Sequence, residues 1–429
     1  MPEFRTLDGD LNTDVLIIGG GMAGLLCAKK LADAGVNYAL IEADRIMNGV
    51  SRNTTAKLTV QHGLIYDRIS REFDADTALA YWRANENALE EYRHLAQEIP
   101  CDLEKRDSFI YSVDAPEKLE REISACRQAG ILAELVESVP LPIRVAGAVR
   151  FRDQAQFHPL KFAAGIAGGL NIYEYTAARE FVGNTVITDR GKIRAEKFIV
   201  ATHFPILNKH GGYFLKLYQD RSYVLALENA GRVEGMYLGE GENGLSFRDH
   251  GSLLLLGGGG RRTGKQGSGW EQLVTFAGKH YPGAKIKFRW ATQDCISLDG
   301  IPYIGQYSRA TPNLYVATGF NKWGMTSSMT AAMILSDLVQ EREHEYAPIF
   351  SPARSVWRRQ LAVNAVGAVG NLLTPTSPRC PHMGCALKWN HYEHTWDCPC
   401  HGSRFGQDGI LLDNPATGNL KGTDTKKKK

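Results

Sequence analysis

Apolar and polar positions follow two rhythms along most of this chain, and a third texture takes over near its end. Asp14-Val15-Leu16-Ile17-Ile18 is a short apolar run that predicts a buried strand. A helix is expected over about 22–34, with Leu25, Ala28, Leu31 and Ala32 on one face and Gly35 as its stop. Asn37-Tyr38-Ala39-Leu40-Ile41 predicts a second strand ending at Glu42, which completes a βαβ unit. Helical periodicity over 75–99 and 115–129 flanks a strand at 107–113. A helix at 158–168, strands at 170–175 and 185–188, and a buried strand at 197–202 follow. From 213 to 296 short strands and turns alternate around one helix near 270–280, and 328–341 is the last expected helix. The mixture predicts an α/β nucleotide-binding domain interrupted by a β-rich substrate domain. From about Ser351, Pro352, Pro375, Pro378 and Pro381 break the chain into loops while Cys and His accumulate. A boundary is therefore expected at 345–355, followed by a compact module to about Gly422.

Composition narrows the class. The 429 residues are 43% hydrophobic and 23% charged, as in ordinary globular proteins. Four of the positive charges behind the net +3 are the terminal Lys426, Lys427, Lys428 and Lys429, so no body-wide basic field points to nucleic acid. That tail is expected to be a solvated end. No run of 18 apolar residues exists, which removes a transmembrane segment, and the polar first 13 residues lack the apolar core of a secretory signal. A cytoplasmic location is the expectation. Cys27, Cys101, Cys126 and Cys295 are scattered, whereas Cys380, Cys385, Cys398 and Cys400 cluster among histidines. A metal site is the better first reading of that cluster than a disulfide scaffold.

Gly19, Gly21 and Gly24 form a G-x-G-x-x-G fingerprint between the first strand and its helix. The first glycine permits the tight turn, the second lets backbone approach a pyrophosphate, and the third lets helix pack on strand. Glu42, eighteen residues after Gly24, can accept from ribose hydroxyls and would repel a 2′-phosphate, which argues against NADP. The fingerprint does not separate FAD from NAD. A rival cluster, Gly257-Gly258-Gly259-Gly260, fits the fingerprint in no frame and reads as a strand and tight turn. One dinucleotide site is expected.

Residues 14 to about 341 resemble the FAD-dependent oxidoreductases of the D-amino acid oxidase and glycine oxidase class. Gly49-Val50-Ser51-Arg52-Asn53-Thr54-Thr55-Ala56 resembles the loop that family runs past the flavin, Phe157-His158-Pro159-Leu160-Lys161 the start of its return helix, and Val200-Ala201-Thr202 its second strand against the nucleotide. Leu298-Asp299-Gly300-Ile301-Pro302-Tyr303-Ile304-Gly305 is similar to its D-G-x-P-x-I-G turn, and Thr318 to Thr326 to its closing segment. The resemblance implies FAD as cofactor, with Gly19, Gly21, Gly24, Glu42, Ser51, Thr54, Thr55, Ala201, Asp299, Gly300, Gly319, Gly324, Met325 and Thr326 as binding residues. It implies FAD-binding parts over about 1–75, 150–205 and 297–345, with an inserted α+β substrate domain over about 76–149 and 206–296. Lys322, near the start of the last helix, is a candidate to stabilise a reduced flavin, or else a surface lysine. No cysteine lies in 319–326 to hold flavin covalently. Arg261 and Arg262, with Tyr223 as partner, are candidates for a substrate carboxylate; salt-bridged surface arginines are the alternative.

Cys380-Pro381-His382-Met383-Gly384-Cys385 and Cys398-Pro399-Cys400-His401-Gly402-Ser403 are two loops that each offer thiolate and imidazole. Such a pair can hold a 2Fe–2S cluster; a structural zinc site is the alternative. The loops resemble Rieske proteins of the disulfide-bearing type found in cytochrome bc-type complexes. The resemblance implies Cys380 and Cys398 on one iron and His382 and His401 on the other. It further implies a Cys385–Cys400 disulfide and a hydrogen bond from Ser403 to a cluster sulfur. It places a small all-β domain at about 355–422, leaving 423–429 as the Lys-rich tail. Phe405 stands where high-potential members carry tyrosine.

Together these features predict an FAD-dependent dehydrogenase for a small amine- or amino-acid-like substrate. Its electrons would leave singly through the Rieske cluster to an external acceptor such as ferredoxin, a cytochrome or a quinone. The alternatives are a reductase fed by ferredoxin or quinol, and a non-enzymatic redox-sensing flavoprotein. No second histidine-and-carboxylate cluster suggests an oxygenase iron.

Overall fold

The computed structural model describes residues 1–420 apart from 209, 242–243, 266, 268, 356–357 and 376–377. The expected Lys-rich tail lies outside the described residues. The first βαβ unit forms as the apolar pattern predicts: β1 (Leu11–Ile18), α1 (Met22–Asp33) and β2 (Tyr38–Ile41). β1 pairs in parallel with β2, and on its other side with β3 (Lys192–Val200), placing Ile18 opposite both Ile41 and Val200. The eight-stranded sheet built on these strands runs Tyr303–Gln306, Leu314–Thr318, β3, β1, β2, Ile172–Tyr173, with a hairpin added beside β3. Helices bury Ile17 on one face and a second core buries Leu16 on the other, so neither has exposed surface.

The second sheet has nine strands. At one side of it β4 (Leu217–Glu228) is flanked antiparallel by β5 (Leu253–Arg262) and by the edge strand β6 (Lys285–Ser297). The glycine run read as a tight turn is instead the second half of β5. The strand continues because Gly258 and Gly259 take positive φ, absorbed by a bulge opposite Arg221 and Tyr223.

The last helix of this portion, α2 (Gly324–Val339), starts four residues before the expected 328. Ser328 and Thr330 hydrogen-bond back to the carbonyls of Gly324 and Thr326, which ties the added first turn to the expected helix. A further helix, α3 (Arg359–Leu373), occupies a stretch read as loops. Its buried Asn364 faces the protein, while Val366 is 73% and Leu373 77% exposed. That reversal of the usual amphipathic pattern hid it.

The C-terminal module is a four-stranded antiparallel sheet, Lys388–Asn390, Thr395–Asp397, Arg404–Gly406 and Leu411–Asp413. Its core holds Cys380, Cys398 and Phe405. The fold is thus an α/β dinucleotide-binding domain with mixed sheets plus a small all-β module. Among the described residues, no helix is long and apolar enough to cross a membrane.

Candidate redox sites and their shared wall

A cavity of about 1510 Å³ runs between the two large sheets. At one end lies the glycine turn. A Cβ on Gly19 would sit 2.6 Å from the Ala201 carbonyl oxygen, and one on Gly24 would sit 1.9 Å from that of Gly19. Only glycine fits either position, which leaves the turn bare for a pyrophosphate. Ser51 Oγ accepts from Met22 N–H at 3.0 Å. The Glu42 carboxylate accepts from the Gly20 and Asp44 N–H groups at 2.7 and 3.0 Å. Burial raises the Glu42 pKa, and these amides oppose the shift. The cradle fits a dinucleotide.

Most expected cofactor residues meet in this cavity: Gly19, Gly21, Glu42, Ser51, Thr54, Thr55, Ala201, Gly324 and Met325 line it. Gly24 works behind it, at the helix–strand contact. Asp299, Gly300, Gly319 and Thr326 do not line it. Asp299 is ion-paired with Arg354 at 2.7 Å, and a Cβ on Gly300 would collide with Arg68. A Cβ on Gly319 would press on Leu217 and Ser297, while Thr326 bonds His62.

At the other end, β4 and β6 contribute Tyr218, Asp220, Ser222, Thr292 and Asp294 to the lining. Asp220 and Asp294 are direct cross-strand partners. Lys322 Nζ lies 3.5 Å from Asp220. Burial pushes the Asp294 carboxyl up to about 6, with Lys322 opposing and Asp220 reinforcing the shift. Sequence patterning missed both aspartates, because the face they occupy depends on strand register. It also missed His62, stacked on Trp323 with ring centroids 5.1 Å apart, and held neutral by burial with a pKa of about 3. A His-to-aromatic contact across 261 positions leaves no local signal.

Tyr223 and Arg261 both border the cavity, but the Tyr223 hydroxyl donates to Glu393 of the C-terminal module at 3.0 Å. Arg261 Nε donates to the Gly259 carbonyl at 3.5 Å. Arg262 also lines the cavity, and its guanidinium stacks over Tyr218 at 5.0 Å. From there it reaches the Cys400 carbonyl at 3.2 Å and Asn364 at 3.0 Å.

Cys385 and Cys400 are joined as a disulfide, within 4.8 Å of the Cys398 sulfur. The remaining four groups fit an iron–sulfur cluster. The Nδ1 atoms of His382 and His401 are both buried without a hydrogen-bond partner among the described residues. Burial lowers their pKa values to about 4 and about 3, so both imidazoles are neutral. The Cys380 thiol is held at about 7 by its contact with Cys398, by the Ser403 hydroxyl, and by the N–H groups of His382 and Met383. Two neutral imidazoles beside two cysteines, of which Cys380 is readily made anionic while contact with Cys380 and burial hold the Cys398 thiol up, are the donor set of a Rieske centre.

The outer nitrogens of both histidines point at the large domain. His382 Nε2 bonds Asn208 Oδ1 at 2.7 Å, and the other ring nitrogen of His401 bonds the Phe214 carbonyl. Phe204 packs edge-on to both rings at 6.2 Å.

Bare glycine turn, cavity and paired Cys–His loops define an FAD oxidoreductase carrying a Rieske domain. The FAD dependent oxidoreductase family matches residues 14–338, and the Rieske [2Fe-2S] domain matches residues 338–424. The chain belongs to that oxidoreductase family; its first part binds FAD and its C-terminal module a 2Fe–2S cluster. It is similar to the putative Rieske 2Fe-2S iron-sulfur protein YhfW of Bacillus subtilis, at 34% identity over 99% of this chain and 96% of that protein. It is also similar to gamma-glutamylputrescine oxidoreductase of Escherichia coli, at 26% identity over 79% of this chain and 86% of that one. Glycine oxidase from Geobacillus kaustophilus shares the fold, with a TM-score of 0.68 at 20% identity, covering 81% of this chain and all of that one.

Proposed function

We propose that this enzyme oxidises a small amine- or amino-acid-like substrate at FAD and passes the electrons singly through the Rieske cluster to an external one-electron partner. The observation that carries this reading is Arg262, which lines the cavity and also bonds the Cys400 carbonyl beside His401. FAD supplies hydride acceptance, and the cluster one-electron transfer. Gly19, Gly21, Glu42, Ser51 and Ala201 would hold FAD; Cys380, Cys398, His382 and His401 would hold the irons.

The other residues do conventional work. Asp220 and Asp294 offer two carboxylates to a substrate ammonium, which favours the amine end of the range. With its pKa near 6, the Asp294 carboxylate can take the ammonium proton and leave the neutral amine that must lose hydride. Lys322, 3.5 Å from Asp220, limits the charge of the pair. Relatives named for an amine-derived substrate and for glycine support the same class. A ferredoxin, cytochrome or quinone would serve as partner, and a cytoplasmic setting completes the reading.

The test is anaerobic photometry with a panel of amines and amino acids, following flavin and cluster together. Both chromophores bleaching in sequence is the expected result. Flavin bleaching with an oxidised cluster, and fast peroxide release in air, would overturn the electron route.

A further inference from the structure

The two redox sites lie on opposite faces of the same strands. Along β4, Tyr218, Asp220 and Ser222 line the cavity, while the alternate residues Gln219 and Arg221 hold the Rieske domain. β6 divides the same way: Thr292 and Asp294 line the cavity and Gln293 faces the cluster loop. Side chains alternate across a strand, so the wall between the sites is one strand thick.

The second cluster loop packs tightly on that wall. A Cβ on Gly402 would lie 2.6 Å from Gln219 Cβ, and one on Gly264 2.7 Å from Pro399 Cβ. Gln219 Nε2 donates to the carbonyls of His401 and Asn414 at 2.9 and 3.0 Å. Gln293 Nε2 donates to the Gly402 carbonyl and to Gln219 Oε1, both at 2.8 Å, and Gln293 Oε1 accepts from Thr263 at 2.8 Å. Both glutamines are fully used, and lifting the loop would leave their buried amides unpaired.

We infer that the Rieske domain stays docked during turnover, with Gln219 and Gln293 as the positioning residues that hold the second cluster loop against the one-strand wall. Electrons then cross without any domain movement. The inference rests on the electron route proposed above. Each crossing takes one electron from reduced FAD and converts one ferric iron to ferrous; the external one-electron acceptor reoxidises that iron before the second crossing. The proton released as FAD is reoxidised goes to water.

The test uses the holoprotein. A laser flash with a deazaflavin reductant injects electrons, and redistribution between flavin and cluster absorbance is timed in buffers of rising viscosity. Hydrogen exchange of 398–403 is measured in parallel. A rate independent of viscosity, with protected loop amides, is expected. A rate that falls in proportion to viscosity, or an unprotected loop, overturns the docking. Absence of any redistribution with a protected loop overturns the electron route and not the docking. Gln219→Leu should retain iron, sulfide and FAD, yet transfer at least tenfold more slowly and with viscosity dependence. A wild-type rate in that variant overturns the positioning role, and the wild-type measurements stand if the variant does not fold.

Discussion

Glu393 and Arg221 join the Rieske hairpin to β4 through a two-pronged ion pair, with Arg221 Nε 2.7 and 2.9 Å from the two carboxylate oxygens. Both side chains are under 10% exposed, and Arg404 adds a second cation at 3.0 Å. Tyr223, expected to serve a substrate, donates to the same carboxylate. The acid thus occupies the arginine and tyrosine of this wall from the Rieske side.

Removing Glu393 would strand the buried Arg221 guanidinium, whereas Arg404 keeps Asp397 and Asp413. Glu393→Ala should cost about 3–5 kcal/mol in chemical unfolding, the range for breaking a buried pair from one side. Burial alone would raise the Glu393 carboxyl, but Arg221 and Arg404 hold it below the ordinary carboxylate range. A depressed folded pKa gives stability that is complete above the unfolded value of about 4.3 and is lost as pH falls through the folded one. The gap between wild type and Glu393→Gln should therefore close below about pH 4. A constant gap from pH 7 to 3 would show that the charge is not what matters.

A second buried pair involves an expected cofactor residue. Asp299 has Arg354 at 2.7 Å, and that guanidinium also lies 4.0 Å from the Tyr303 ring centre. Arg354 thereby ties the chain leaving α2 back to the D-G-x-P turn. Arg354→Ala should destabilise by about 3–5 kcal/mol, and the paired change Asp299→Asn with Arg354→Met by much less, because no lone charge remains buried. Flavin titration of Asp299→Asn should give near-wild-type affinity; a loss beyond tenfold would return Asp299 to the cofactor.

The βαβ unit was legible because β1 ends in the unbroken apolar run Val15-Leu16-Ile17-Ile18 and the glycines after it have fixed spacing. The cluster loops were legible because all four expected ligands, two cysteines and two histidines, sit in two short motifs. What stayed hidden depends on register or distance. Asp220 and Asp294 become a pair only when β4 and β6 align, and the ion pair of Asp299 with Arg354 joins residues 55 positions apart. The helix 359–373 carries Gly367 and Gly370 between proline-rich flanks and exposes valines, contradicting each local cue for a buried-face helix.

Gly24 tests the cradle. A methyl there would sit 1.9 Å from the Gly19 carbonyl oxygen, so α1 must move away from β1. Overpacking of this kind costs about 1–3 kcal/mol. Gly24→Ala should weaken FAD by roughly ten- to a hundredfold in a fluorescence titration, since about 1.4 kcal/mol is tenfold. Unchanged affinity would mean that the helix–strand contact does not shape the site.

Phe405 has no exposed surface and packs with Cys380 and Cys398. A hydroxyl added there lies among the cluster-loop sulfurs, where a new hydrogen bond favours the more negative reduced cluster. Phe405→Tyr should raise the midpoint potential in voltammetry. A lower or unchanged potential would place the hydroxyl away from sulfur.

Asp294 decides how substrate binding depends on pH. Its carboxyl sits near 6 because burial, and then Asp220 opposite, disfavour a second negative charge, while Lys322 offsets part of that shift. Above that value the wall presents two carboxylates; below it Asp294 is neutral and one attraction is lost. A substrate ammonium remains charged throughout this range, so its affinity should climb as pH rises from 5 to 7. Asp294→Asn should flatten that climb and weaken amine binding by about tenfold or more, the loss of a charge-assisted hydrogen bond of about 1.5–3 kcal/mol. Calorimetric titration of a diamine against the holoprotein reads both effects without requiring turnover. An affinity that falls with rising pH would mean that Lys322, and not the aspartates, meets the substrate, turning the preference towards carboxylates.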